Sequence, residues 1–263
     1  MNPDELLALF EATSEAIGRA LETLDPTRRR ARTPRPGQYL LDLVADKAAL
    51  TVLAEAPVAV VSEESGRSGP AGAPVTVVID PVDGLTNASR GVPYWGTSLC
   101  ALDASGPLVA LVVNQATGLR SAAVRGRGAW RDGKPTRPSS IRRLEESVVA
   151  VSGHFPRPLP WRQYRALGSA ALAMCDVAGG VVEAFVDSAP AHAPWDYLGG
   201  LLVCSESGAV ARDVAGRPLV EFDASSGLPS VDESPAGRRQ LAVAAGSELF
   251  EAVLSGIGIG MPR

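Results

Sequence analysis

Two carboxylates three residues apart, with proline between them and glycine after them, form the most chemically loaded stretch of the sequence: Asp80-Pro81-Val82-Asp83-Gly84-Leu85-Thr86-Asn87. Pro81 restricts the backbone between the acids, and Gly84 permits a sharp turn. Hard divalent cations such as magnesium prefer carboxylate and carbonyl oxygens. This turn can offer Asp80, the Val82 carbonyl and Asp83 to one place. A helix beginning near Gly84 would aim its free N–H groups the same way, where they can hold a phosphate. Read alone, the string is equally a turn in which Asp83 serves as a cap. Two further features carry acids: Glu63-Glu64 and, far along the chain, Trp195-Asp196. Singly, an acid pair reads as surface charge and an aspartate opening a helix as a cap. Their order along the chain says more than each does alone.

The elements that must position these acids are legible in outline. Pro57 to Val61 and Val75 to Ile79 are short β-branched runs, and each ends at acids, which predicts carboxylates gathered at one edge of a sheet. Helical spacing over 3–24 and 38–55 predicts two helices, the second carrying Asp42, Asp46 and Lys47. Between them, 25–37 holds three prolines and a basic run and reads as a solvated loop. Residues 97–130 read as a meander, with Asp132-Gly133 as a hairpin turn after it. In the second half, strands at 147–152, 181–186 and 241–245 alternate with helices at 168–177, 196–207 and 248–254. Ser169 lies near the start of the first of these helices, and Gly208 stops the second.

Composition narrows the function classes. The 263 residues carry a net charge of -4, which argues against a general nucleic-acid binder but not against a small anion held by a metal. No apolar run reaches the roughly 18 residues a membrane span needs, and the acid-rich start does not read as a signal peptide. Cys100, Cys175 and Cys204 are widely separated within apolar runs, so reduced buried thiols and a cytoplasmic location are expected. The two histidines, His154 and His192, and the lack of a G-x-S-x-G elbow leave no obvious protein nucleophile.

The order of an acid pair after a strand, D-P-V-D-G-x-T-N, and then P-W-D opening a helix resembles the inositol monophosphatase family, part of the lithium-sensitive, magnesium-dependent phosphatase superfamily. RGVPYWGTSLCALD, LGSAAL and WDYLGGLLVCSESGAV are similar to later stretches of that family, and the resemblance runs from about Asp46 to Gly216. It implies an α/β (α+β) fold, a layered αβαβα sandwich of the inositol monophosphatase and fructose-1,6-bisphosphatase type. The N-terminal half, 1–146, would carry the Glu-Glu and D-P-V-D-G motifs, and the C-terminal half, 147–263, Trp195-Asp196, with a soft boundary in one structural unit. It also implies a homodimer.

The resemblance assigns roles. Glu63, Asp80 and the Val82 carbonyl would hold a first metal. Asp80 would bridge to a second, completed by Asp83 and Asp196. The N–H groups of Gly84 and Leu85 would hold phosphate, with Thr86 beside them. Asp46 matches an acid near the attacking water, and Ser169 lies in a substrate-contacting motif. The implied cofactor is Mg2+, two or three ions, with Mn2+ as a substitute. His192, just before Trp195-Asp196, is a candidate substrate contact, weighed against a structural role.

Three departures bear on activity. Leu85 stands where the family has threonine or serine, whose hydroxyl orients the attacking water; losing such a group costs about ten- to a thousandfold in rate. Ala189 stands where inositol-specific members carry an acid. Arg35 falls near the position of a lysine by the metal loop. The expected function is a Mg2+-dependent phosphomonoesterase acting on a small phosphorylated sugar, cyclitol or related metabolite. The alternatives are a catalytically impaired metal- and phosphate-binding relative, or a phosphatase for histidinol phosphate, fructose 1,6-bisphosphate or nucleotide 3′-phosphates. Selectivity is expected from 64–74, 153–165 and 187–194.

Overall fold

The computed structural model describes residues 1–155 and 159–258. The sequence alternates between an apolar stripe on helices and fully apolar strands, and these stack into five layers. The outer helices are α1 (Pro3–Glu22), the short α2 (Pro26–Arg30) and α3 (Leu40–Leu53). They lie against an eight-stranded sheet made of β1 (Ala59–Ser62), β2 (Gly66–Ser68), β3 (Thr76–Asp83), β4 (Gly96–Asp103), β5 (Gly106–Asn114), β6 (Arg120–Val124), β7 (Gly128–Arg131) and β8 (Lys134–Pro135). The sheet order is β2-β1-β3-β4-β5-β6-β7-β8. The single turn of helix α4 (Leu85–Arg90) leaves the end of β3.

The second sheet contains β9 (Val148–Ser152), β10 (Gln163–Arg165), β11 (Ala184–Asp187) and β12 (Val210–Asp213). A small hairpin of β13 (Glu221–Phe222) and β14 (Pro229–Ser230) precedes its last member, β15 (Leu241–Ala244). The order is β10-β9-β11-β15-β12. Between the sheets lie α5 (Ala170–Ala178) and α6 (Pro194–Ser207), and α7 (Ser247–Ile257) covers the outer face of the second sheet. This αβαβα arrangement is the one the sequence implied.

Each layer is cemented by its own apolar set. Leu6, Phe10 and Ile17 of α1 are fully buried against α3 and the first sheet. Burying each such side chain contributes about 1.5–3 kcal/mol. α5 is buried along its whole length, and its cluster joins Val61, Val78 and Cys100 to Phe185, Val203 and Val243, so the central layer draws on both sides of residue 146. All three cysteines are buried and free, as their apolar runs suggested.

Several local expectations hold. Asp132 and Gly133, both with positive φ, form the two-residue turn joining β7 to β8, and left-handed Gly208 ends α6. Two do not. The basic run is not simply a solvated loop, because Asp25 accepts from the N–H groups of Thr27 and Arg28 and nucleates α2 with Pro26 in its first turn. Arg29 then donates to the carbonyls of Leu21 (2.9 Å) and Leu24 (3.2 Å), capping the end of α1. The regular alternation also fails late in the chain, where β12 to β15 follow one another without an intervening α-helix. Exposed, polar β10 was not anticipated; an edge strand needs no buried face.

Candidate functional site

The convergence of acids begins with strand register. β1 and β3 run parallel with Ser62 opposite Ile79, and the N–H of Glu63 donates to the Ile79 carbonyl (3.2 Å). The residues that follow, Glu63 and Asp80, therefore emerge together. Pairing of β3 with β4 is regular to Asp80↔Ser98 and resumes at Asp83↔Gly96, so an irregularity sits between the two aspartates. Pro81, which has no N–H to give a ladder, occupies it. The Val82 N–H turns back to Asp80 Oδ1 (2.8 Å), and Thr97 donates to the Pro81 carbonyl (2.9 Å). Gly84 follows with φ 91°, and a Cβ there would stand 3.0 Å from the Gly168 carbonyl and 3.1 Å from Trp95 Cβ. Only glycine fits both the backbone and the gap.

The distant acid arrives on α6. Asp196 lies in its first turn and accepts from the Ala193 N–H (2.7 Å), so it is a cap. It is also more than a cap: one carboxylate oxygen each from Glu63, Asp80 and Asp196 lie within 4.8 Å of one another. Asp83 is fixed by α5, whose Ser169 hydroxyl and Ala171 N–H (2.7 Å) both donate to Oδ2. All four acids line a cavity of about 120 Å3 together with Val82, Gly84 and Leu85. The donor set is entirely oxygen, without histidine or cysteine, which fits a hard divalent cation.

The electrostatics point the same way. Burial, then the charges of Asp196 and Glu64, pushes the Glu63 carboxyl up to about 8. Burial, then Glu63 and Asp83, holds Asp80 well above the ordinary range. Burial and then Asp196 push Asp83 up to about 6. Buried like charges without a counter-charge retain protons. A divalent cation supplies the missing charge.

The remaining candidates separate. Asp46 is buried and receives hydrogen bonds from the hydroxyls of Ser62 and Ser65. The acid of α3 on the cavity wall is instead Asp42, one turn earlier. It accepts from the Tyr39 N–H (2.9 Å), and burial pushes it up to about 7. The signal was present in the sequence as two aspartates four apart on one helical face, either of which could reach the site. Leu85 lines the cavity and brings no hydroxyl. Thr86, one helical step further, is exposed and outside the cavity wall, so its placement beside the phosphate is not what the geometry gives. Asn87 is a clamp, its amide donating to the carbonyls of Tyr94 and Leu167 (both 2.7 Å).

His192 is half-buried between two acids. Nε2 lies 3.0 Å from Asp187 Oδ1, and Nδ1 lies 3.6 Å from Asp196 Oδ2. Burial would lower its pKa, but the hydrogen bond to Asp187 and the nearby carboxylate of Asp196 override this and raise it to about 10. His154 is exposed. Arg35 reaches over Glu64 (3.4 Å), which also accepts from Gln38. A second cavity, about 400 Å3, joins Arg35, Glu63, Trp195 and Arg238. Among the described residues, the indole N–H of Trp195 is a buried polar group without a partner. Of the segment 153–165, residues 156–158 lie outside the described residues.

Comparison with known proteins adds an independent line. A fructose-1,6-bisphosphatase/inositol-1-monophosphatase of Archaeoglobus fulgidus is 33% identical over 230 residues, 83% of this chain and 88% of that protein. The Nus factor SuhB of Escherichia coli K12 is 30% identical over 171 residues, 60% of this chain and 63% of that protein. The solved structure of an inositol monophosphatase-fructose 1,6 bisphosphatase superposes with a TM-score of 0.80 at 25% identity, covering 97% of this chain and 99% of that one. The family model for inositol monophosphatases matches residues 39–246, a span that includes every acid gathered at the cavity. The register that joins Glu63 to Asp80, the irregular turn to Asp83 and the late arrival of Asp196 thus lie inside a matched stretch covering most of the sequence, and the chain belongs to the inositol monophosphatase family.

Proposed function

We propose that this chain is a Mg2+-dependent phosphomonoesterase that hydrolyses a small phosphorylated sugar, cyclitol or related metabolite. The observation that carries the reading is the meeting of Glu63, Asp80 and Asp196 within 4.8 Å beside Asp83 and the start of α4. Divalent cations bound there neutralise the charge of the ester and lower the pKa of water. The chain's own contribution is placement. Glu63, Asp80, Asp83, Asp196 and the Val82 carbonyl are the ligands proposed, and Ser169 and Ala171 keep Asp83 in one orientation. Gly84 and Leu85 line the cavity, and their N–H groups are the ones proposed to hold a phosphoryl oxygen. Asp42, which lines the wall with Glu64, is proposed in place of Asp46 as the group that takes a proton from water. We expect Mn2+ to substitute for Mg2+, lithium to inhibit, and the protein to work in the cytoplasm as a homodimer. No helix among the described residues is long and apolar enough to cross a membrane.

The deciding experiment measures phosphate release from a panel of monoesters, including inositol 1-phosphate, fructose 1,6-bisphosphate and glycerol 2-phosphate, with and without Mg2+. Metal-dependent release supports the reading, and no release at high enzyme concentration sinks it. Leu85 favours one second reading, a slow or non-catalytic relative that binds metal and phosphate. A large gain in turnover for Leu85→Thr supports that reading; fast wild-type turnover unaffected by the change removes it.

A further inference from the structure

A trough leads away from the acids. The metal cavity shares Asp83 with a neighbouring space of about 230 Å3, walled by apolar groups such as Leu167, Ala173 and Phe185, with His192 at its side. That space shares Val151, Gly153 and Ala166 with a third of about 820 Å3. The far wall is aromatic. Phe155 and Trp161 meet edge to face with ring centroids 5.7 Å apart, and Trp161 and Tyr164 lie 6.1 Å apart. Tyr164, on edge strand β10, is 59% exposed, and Arg162 and Arg165 flank it on the same wall.

The passage carries polar side chains, Ser152, Gln163 and the two arginines among them, but its far wall presents aromatic faces. A flat π system gains from aromatic faces and from cations above its plane. The total space also exceeds what a three-carbon phosphate would fill. Resting on the phosphatase reading of the acid cavity, we infer that the preferred substrate is a phosphomonoester whose alcohol carries a heteroaromatic ring, with the ring lodged against Trp161 and Tyr164 while the phosphoryl group sits at the acids. Stacking of a base on an aromatic side chain is worth about five- to a hundredfold in binding, so the ring should be visible in both affinity and kcat/KM.

The test compares adenosine 5′-monophosphate and histidinol phosphate with ribose 5-phosphate, using full-length protein with Mg2+. Calorimetric binding is measured alongside phosphate release, so the outcome does not depend on turnover. The expected result is a preference of about tenfold or more for a ring-bearing ester over ribose 5-phosphate. It should fall about fivefold or more in Trp161→Leu and return in Trp161→Phe, with glycerol 2-phosphate turnover unchanged throughout. The two ring-bearing esters distinguish a nucleobase from a smaller imidazole. Equal binding of ribose 5-phosphate and both ring-bearing esters overturns the inference, even if all are hydrolysed, which leaves the phosphatase reading standing. Ring-selective binding without hydrolysis of any ester supports the aromatic wall as the ring's seat and removes the phosphatase reading. Dissociation of a dimer by Trp161→Leu, with ring preference unchanged, assigns the aromatic wall to a second copy and likewise overturns it.

Discussion

Glu63 donates its N–H to the carbonyl of Ile79, so the acid just after β1 stands beside the acid that follows Ile79 on β3. One backbone hydrogen bond thereby couples two carboxylates seventeen positions apart in the sequence. Their proximity has no stabilising purpose of its own, because burial and mutual repulsion hold both above the ordinary carboxylate range.

Removing one of these acids should relieve the apo protein and cripple the loaded one. Asp80→Asn is expected to lower phosphate release by about a thousandfold or more, on the scale of losing a metal-held reaction centre. The variant should also lose most of the Mg2+-induced rise in Tm. Unchanged Mg2+ stabilisation would exclude Asp80 as a ligand.

The pH dependence of stability follows from the raised values. Glu63 sits at about 8, Asp42 at about 7 and Asp83 at about 6, all above their unfolded values. At low pH both folded and unfolded chains hold these protons. As pH rises from about 4 to about 8, the unfolded chain gives them up first, so the folded state is penalised progressively. Metal-free protein should therefore show a falling Tm from about pH 5 to about pH 8, and the increment from Mg2+ should grow over the same range. A calorimetric series with and without chelator measures both slopes. A metal-free Tm that rises towards pH 8 contradicts the assignment.

Asp42 and Asp46 should behave differently although one helical turn separates them. Asp42→Asn is expected to depress kcat with little change in KM and without lowering Tm. Asp46→Ala strands the Ser62 and Ser65 hydroxyls. It should cost about 1–3 kcal/mol of stability, or roughly 2–12 °C in Tm for a chain of this size. Denaturation curves beside initial rates separate the two effects.

His192 holds Asp196 in place from behind, with Asp187 fixed in turn by the Leu241 N–H (2.8 Å). Groups of this kind are worth about ten- to a hundredfold in metal affinity. His192→Ala should raise the Mg2+ concentration needed for half-maximal activity by that factor while saturating Mg2+ recovers most of kcat. A kcat loss that metal cannot rescue would instead place His192 on the substrate.

Much of this was readable from the sequence because acids at strand ends, a Pro and Gly around a turn, and a Pro-Trp-Asp helix start are local signals. Apolar periodicity marked the individual helices and strands, and the resemblance to the family implied how they stack into layers. What was hidden was set by rotation and by long-range contact. Asp42 and Asp46 share a helical face, and only the docking of α3 decides which one meets the cavity. Thr86 turned outward because α4 starts where it does. The capping role of Arg29 depends on α1 ending beside it, and polar β10 had no buried face to reveal it.

The Asn87 amide clasps the carbonyls of Tyr94 and Leu167, and Ser169, two residues further on, grips Asp83. During synthesis, the stretch carrying Glu63, Asp80 and Asp83 leaves the ribosome well before the segments that orient and complete it. A chain that stopped before Leu167 would carry Glu63, Asp80 and Asp83 yet lack the clasp, the grip of Ser169 and Asp196. The cavity is therefore complete only once the segments after residue 167 have been made and have folded back onto β3.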